Sequence, residues 1–264
     1  MKKLVIGMML LALSAAPGIS AAKDWKEIKI ATEAGYPPFE FRNTSGQLEG
    51  FDIDIGNEIC IRLNAQCTWV DQSFDSLIPG LKARKFDLAA SAMTATEARR
   101  KVIDFTTPVY LVPVRLMAKK GSGLQPTAES LKGKRVGVQQ GTTMETYARK
   151  EWAGKGVTIV PYPSYTNAFV DLASGRLDAT FQEAQNATDG FLNKPEGAGF
   201  ELAGDPITTD KILNEPIAIG MRKNNPELKA AVDQAINAMV AEGVMQKLAD
   251  KYFQKGNIVL PDAF

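Results

Sequence analysis

Asp87-Leu88-Ala89-Ala90-Ser91-Ala92-Met93-Thr94-Ala95-Thr96-Glu97-Ala98-Arg99-Arg100-Lys101 holds the pattern on which the fold turns. Asp87 to Ser91 reads as a short strand. Thr94-Ala95-Thr96-Glu97 then has the spacing of a capping box, with Thr94 as the N-cap, and predicts a helix through Arg99-Arg100-Lys101. A strand that hands over to a helix within a few residues is the repeating unit of an α/β sheet.

The same alternation continues on both sides. Upstream, Ile28-Lys29-Ile30-Ala31-Thr32 reads as a strand that runs into Gly35-Tyr36-Pro37-Pro38-Phe39, where the prolines forbid helix. Phe51, Ile55, Ile59 and Leu63 recur every four residues and predict an amphipathic helix. A strand from Cys67 and a helix from Phe74 follow, with Pro79 near the first turn, where proline is tolerated. Downstream, Val109 to Pro113 reads as extended chain and Lys120 to Pro126 as a linker. Strands are predicted at Lys134 to Val138, Ala179 to Phe181 and Ile217 to Gly220. The chain closes on two helices, carrying Leu228, Val232, Ile236 and Met239, then Val244, Leu248 and Tyr252, with Gly243 between them. Two α/β segments joined by extended chain predict two lobes with a cleft: residues 23–111 plus 214–264, and residues 112–213.

Residues 1–22 have the form of a secretory signal, with Lys2 and Lys3, an apolar run from Leu4 to Leu13, and small residues at Ile19-Ser20-Ala21-Ala22. The run is short for a membrane span, which needs about 20 apolar residues, and no cysteine follows the small residues to take a lipid. Export from the cytoplasm is therefore expected. Lys2 and Lys3 are the only charges in that segment, so the rest of the chain carries 29 basic against 30 acidic side chains. That balance gives no reason to expect nucleic acid or an anionic surface as partner. The chain has no histidine, which excludes Ser-His-Asp and Cys-His catalysis and His-ligated zinc. Its two cysteines, Cys60 and Cys67, are expected to pair in an oxidising compartment; two free thiols are the alternative.

Ligands of α/β sheets bind beyond the carboxyl ends of strands. Those ends collect Glu33 and Tyr36, Phe74, Ser91, Ala92 and Thr94 with Arg99, the turn Gly141-Thr142-Thr143, and Gln182-Glu183. Arg99 is suited to hold a carboxylate bidentately, and free amides at the start of a helix near Thr143 offer an anion seat. Glu33 and Glu183 are suited to cations. Tyr36 and Phe74 are suited to flank an aliphatic chain or a guanidinium. This inventory fits a zwitterion with an extra positive charge. The strand–turn–helix at Gly141 is not a P-loop, because the Gly-Lys-Ser/Thr ending is missing.

Several ordered runs resemble the periplasmic amino-acid-binding proteins of ABC importers, in the branch for polar and basic amino acids. They are Ala34 to Phe39, Gly50-Phe51-Asp52-Ile53-Asp54-Ile55, Phe74 to Leu81, Asp104-Phe105-Thr106, Leu131 to Val138 and Gly175 to Ala179. The resemblance implies a type II two-lobed fold joined by two hinge strands, a monomer without cofactor, and delivery to a membrane ABC permease. It pairs Cys60 with Cys67, as in lysine/arginine/ornithine and histidine binders. It places Arg99, Ser91, Thr94 and the Thr143 amide on the ligand carboxylate. Glu183, where relatives more often carry Asp, meets the α-ammonium and Glu33 the side-chain cation, with Tyr36 and Phe74 along the ligand chain. It further implies that the ligand binds the discontinuous lobe first and the 112–213 lobe closes over it. Ala92, Met144 and Gln139 depart from the family's pattern near the pocket, and they keep opines or other amino-acid derivatives open as ligands. A cyclohexadienyl dehydratase-like enzyme is the remaining alternative on the same fold; a binder without catalysis is the expected reading.

Overall fold

A computed structural model describes residues 25–263; the signal-like segment 1–22 lies outside them. The first sheet begins with β1 (Glu27–Thr32) and passes through a small antiparallel sheet of β2 (Gly35–Tyr36), β3 (Glu40–Arg42) and β4 (Leu48–Glu49). Helix α1 (Phe51–Arg62) follows because Phe51, Ile55 and Ile59 share one buried face. Gly50 precedes it at φ 133°, and a Cβ there would lie 2.2 Å from the Phe39 carbonyl oxygen, so the turn admits only glycine. Then come β5 (Gln66–Asp71), α2 (Leu77–Lys82), β6 (Leu88–Ala89), α3 (Glu97–Arg100) and β7 (Asp104–Phe105).

The chain next crosses to a second sheet, built from β8 (Val114–Lys119), β9 (Arg135–Gln139), α4 (Thr143–Glu151), β10 (Thr158–Tyr162), α5 (Tyr165–Ala173), β11 (Ala179–Glu183), α6 (Ala184–Ala187) and β12 (Phe200–Ala203). It then returns to the first sheet with β13 (Gly220–Met221) and ends in α7 (Pro226–Ala241) and α8 (Val244–Tyr252), which pack on α1. The strand orders are β5-β1-β6-β13-β7 and β10-β9-β11-β8-β12. Each sheet sets a parallel trio beside antiparallel strands. The protein is thus two α/β lobes, and the two crossings touch each other through the bridge between Tyr110 and Ile217.

Cys60 and Cys67 form a disulfide that ties the end of α1 to the start of β5. Three local expectations need correction. The cap of α3 is Thr96, whose hydroxyl accepts from the Arg99 N–H at 3.2 Å, and not Thr94, so the helix is a single turn. Thr94 instead bridges Ile217 at the edge of the first sheet, which keeps the chain extended two residues further. The strand at Ile217 is confined to Gly220–Met221, and β11 runs on through Gln182 and Glu183 instead of ending at Phe181.

Candidate functional site

The carboxyl ends of both parallel trios face one cleft. Eleven side chains singled out in the sequence line the same cavity: Glu33, Tyr36, Phe74, Ser91, Ala92, Thr94 and Arg99 from the first lobe, and Gln139, Thr143, Met144 and Glu183 from the second. Glu40 and Thr142 complete the lining; Thr142 belongs to the turn collected from the sequence, whereas sequence reasoning gave Glu40 no role. The space between the walls is about 10 Å³, room for one water molecule. An amino acid therefore enters only when the walls part.

Contacts across the cleft come from Arg99, Tyr36 and Glu183 of this lining and from Asn186 beside it. Arg99 lies with its guanidinium 5.4 Å from the centre of the Phe74 ring. One of its terminal nitrogens donates to the Thr94 carbonyl at 2.8 Å and the other to the Gly141 carbonyl of the second lobe at 2.9 Å. The Tyr36 hydroxyl donates to the Glu183 carboxylate, and the Asn186 amide donates to the Pro37 carbonyl at 3.1 Å. Tyr36 stacks on Phe39 and tilts against Tyr165 of α5, with ring centres 5.7 and 5.6 Å apart. At the start of α4, Thr142 caps the helix by accepting from the Glu145 N–H, and the Glu145 carboxylate accepts from the Gly141 N–H of the preceding turn at 2.8 Å.

The acids give the cavity its chemistry. The Ser91 hydroxyl accepts from the Glu33 N–H at 3.0 Å and donates to Glu40 at 2.9 Å. The second carboxyl oxygen of Glu40 is buried without a hydrogen-bond partner. Burial pushes the Glu33 carboxyl up to about 7, with a hydrogen bond from Gln139 offsetting part of the rise and Asp71 adding to it. Glu183 is pushed up to about 8 by burial. Glu40 rises well above the usual carboxylate range, through burial first and then the nearby charge of Asp52. Three acids held this way gain from a cation brought among them, because its charge replaces lost solvation. The Gln139 amide donates to the Pro163 carbonyl at 3.0 Å, and the Thr143 hydroxyl donates to the Met144 sulfur at 3.3 Å. Among the described residues no group of acids, cysteines or histidines forms a metal site.

Residues 28–255 match the model of the bacterial extracellular solute-binding proteins, family 3. The chain is similar to the histidine-binding periplasmic protein of Escherichia coli K12, at 45% identity over 96% of this chain and 97% of that one. It is also similar to the lysine/arginine/ornithine-binding periplasmic protein of the same strain, at 42% identity over 96% and 97%. Among solved structures, an ancestral arginine-binding protein bound to arginine superposes with a TM-score of 0.82 at 33% identity, covering 88% of this chain and all of that one.

Proposed function

The chain belongs to the bacterial extracellular solute-binding proteins, family 3, and on that premise we propose that it captures a cationic amino acid in the periplasm and presents it to an ABC permease. The carrying observation is one cavity, shared by both lobes, that sets Arg99 among three buried acids, Glu33, Glu40 and Glu183. Arg99 releases its carbonyl partners and takes the ligand carboxylate, a bidentate pair lysine cannot make. Glu183 exchanges the Tyr36 hydroxyl for the α-ammonium. Glu33, with Glu40 behind it, receives the side-chain cation. Tyr36 and Phe74 flank the aliphatic part.

Closure carries the signal. A ligand favours the closed form only by touching both lobes, since equal affinity for both forms shifts nothing. Arg99 and Glu33 stand on one lobe and Glu183 on the other, so the α-carboxylate and α-ammonium alone link them. A permease that reads the closed shape then distinguishes loaded from unloaded protein; periplasmic binding proteins as a class close about a hinge in this way. The family and these relatives are binding proteins, and the same three acids oppose the dianionic substrate a dehydratase would need.

The test is a thermal-shift screen of ligand-stripped protein against the amino acids. A ligand at 100 times its dissociation constant stabilises by about 2.7 kcal/mol, a shift of several degrees. Arginine, lysine, ornithine or histidine is expected to stand out. Stabilisation by neutral or acidic amino acids alone would contradict the assignment of Glu33 and Glu40.

A further inference from the structure

Asp52 is a buried acid one residue inside α1, outside the cavity, and both of its carboxyl oxygens are used. One accepts from the Ala92 N–H at 2.8 Å and the other from the Tyr110 hydroxyl at 2.8 Å. The two donors lie in different parts of the mechanism. Ala92 sits in the turn that supplies Ser91, Ala92 and Thr94 to the cavity wall. Tyr110 sits on the segment by which the chain leaves the first lobe, bridged to Ile217 on the returning segment and stacked on Phe39 with ring centres 5.5 Å apart.

Ala92 has φ +43°. This left-handed conformation is unfavourable for a residue with a Cβ and persists only where its surroundings hold it. The Asp52 carboxylate accepts from the N–H of this residue. We propose that Asp52 is a positioning residue of the binding site: it fixes the Ser91–Thr94 turn in the shape that meets the ligand and ties that turn to the crossing segment through Tyr110. The inference rests on the proposed binding function. It concerns the backbone-facing part of the site, so it predicts the same loss for every amino acid the protein binds.

The experiment compares the wild type with D52L, D52N, A92G and the D52L/A92G pair, titrated calorimetrically with arginine, lysine, histidine and glutamine. D52L keeps the branched outline of the side chain, in a larger volume, but leaves the Ala92 N–H without an acceptor; its affinity is expected to fall about tenfold or more, equally for each ligand bound. D52N keeps a carbonyl for the Ala92 N–H, and its amide can donate to the Tyr110 oxygen, so it is expected to stay within about threefold of wild type. Glycine adopts positive φ without penalty, so the D52L loss is expected to shrink to a few-fold in the A92G background. A role in general packing predicts no such coupling between positions 52 and 92. A folded D52L protein that binds as the wild type does, or that loses as much affinity with glycine at 92 as with alanine, would overturn the proposal. Should D52L not fold, amide exchange in the wild type decides: the Ala92 amide is expected to be protected and to slow further with ligand bound, and an amide indifferent to ligand would equally overturn it. A wild type that binds none of the cationic ligands instead defeats the functional reading, and glutamine still allows Asp52 to be judged.

Discussion

In the proposed function, Glu33 is the side chain on which the preference for a cation depends most. Its carboxyl is raised to about 7, and Glu183 to about 8, by burial. In the unfolded chain both ionise near 4.5, so between that pH and about 8 the folded form holds more protons than the unfolded one. Their contribution to stability is complete below about 4.5 and is lost as pH rises through 7 and 8. The ligand-free protein should accordingly melt at lower temperature at pH 8 than at pH 5. Capturing a cation demands the ionised acids, so at about pH 6 binding should release roughly one to two protons, read from titrations in buffers of different ionisation enthalpy. Glu33→Gln should cut affinity for cationic ligands about 30-fold or more and reduce the protons released. Undiminished affinity would move the cation elsewhere. Glu33, Arg99 and the aromatic pair were legible as lining residues of the cavity because each follows a strand closely in sequence. Glu40 was not. In Phe39-Glu40-Phe41 a two-residue alternation points the acid to solvent while the aromatics turn inward, yet Phe39 and Glu40 are both buried and Phe41 is only half-buried. The small sheet lies against the lobe, and periodicity within three residues carries no sign of that tertiary packing.

Elements were legible where their periodicity was long. Helix α1 and the two terminal helices fall close to where their apolar spacing puts them. The error at α3 has a physical source: Thr94 and Glu97 have capping-box spacing, but pairing of Thr94 with Ile217 keeps the backbone extended as far as Thr96. Sheet pairing with a residue more than a hundred positions away overrides a local signal. Thr96→Ala should destabilise the protein by about 1 kcal/mol and weaken ligand binding, because the cap orients the turn that carries Arg99. A melt showing neither effect would return the cap to Thr94. At the other end of the first sheet, the Cys60–Cys67 bridge closes a loop of sequence separation 7. Restricting so short a loop in the unfolded chain stabilises by about 2 kcal/mol. Replacing both cysteines by serine should therefore lower the melting temperature by several degrees while leaving the cavity, which the bridge does not touch, with unchanged ligand preference.

At the scale of the molecule, two sheets of like construction present their parallel strand ends to one another, and the chain crosses between them twice. Strand–helix alternation and the extended chain from Val109 to Pro113 made this organisation readable. The contacts that hold the lobes together were not, since Arg99 to Gly141 and Tyr36 to Glu183 join residues 42 and 147 positions apart. They use the groups assigned to the ligand carboxylate and ammonium, so loading exchanges protein contacts for ligand contacts at both anchors, and net affinity comes chiefly from the side-chain cation among the acids. That is the central claim, and titrating the ligand-stripped protein with arginine against citrulline, and with lysine against norleucine, tests it most directly. Each pair shares a backbone and a similar chain and differs in charge. At least one cationic member should bind about 100-fold or more tightly than its neutral counterpart, the consequence of leaving buried charge unpaired. Equal affinities within both pairs would contradict the account, because Glu33 and Glu40 would then contribute nothing to recognition.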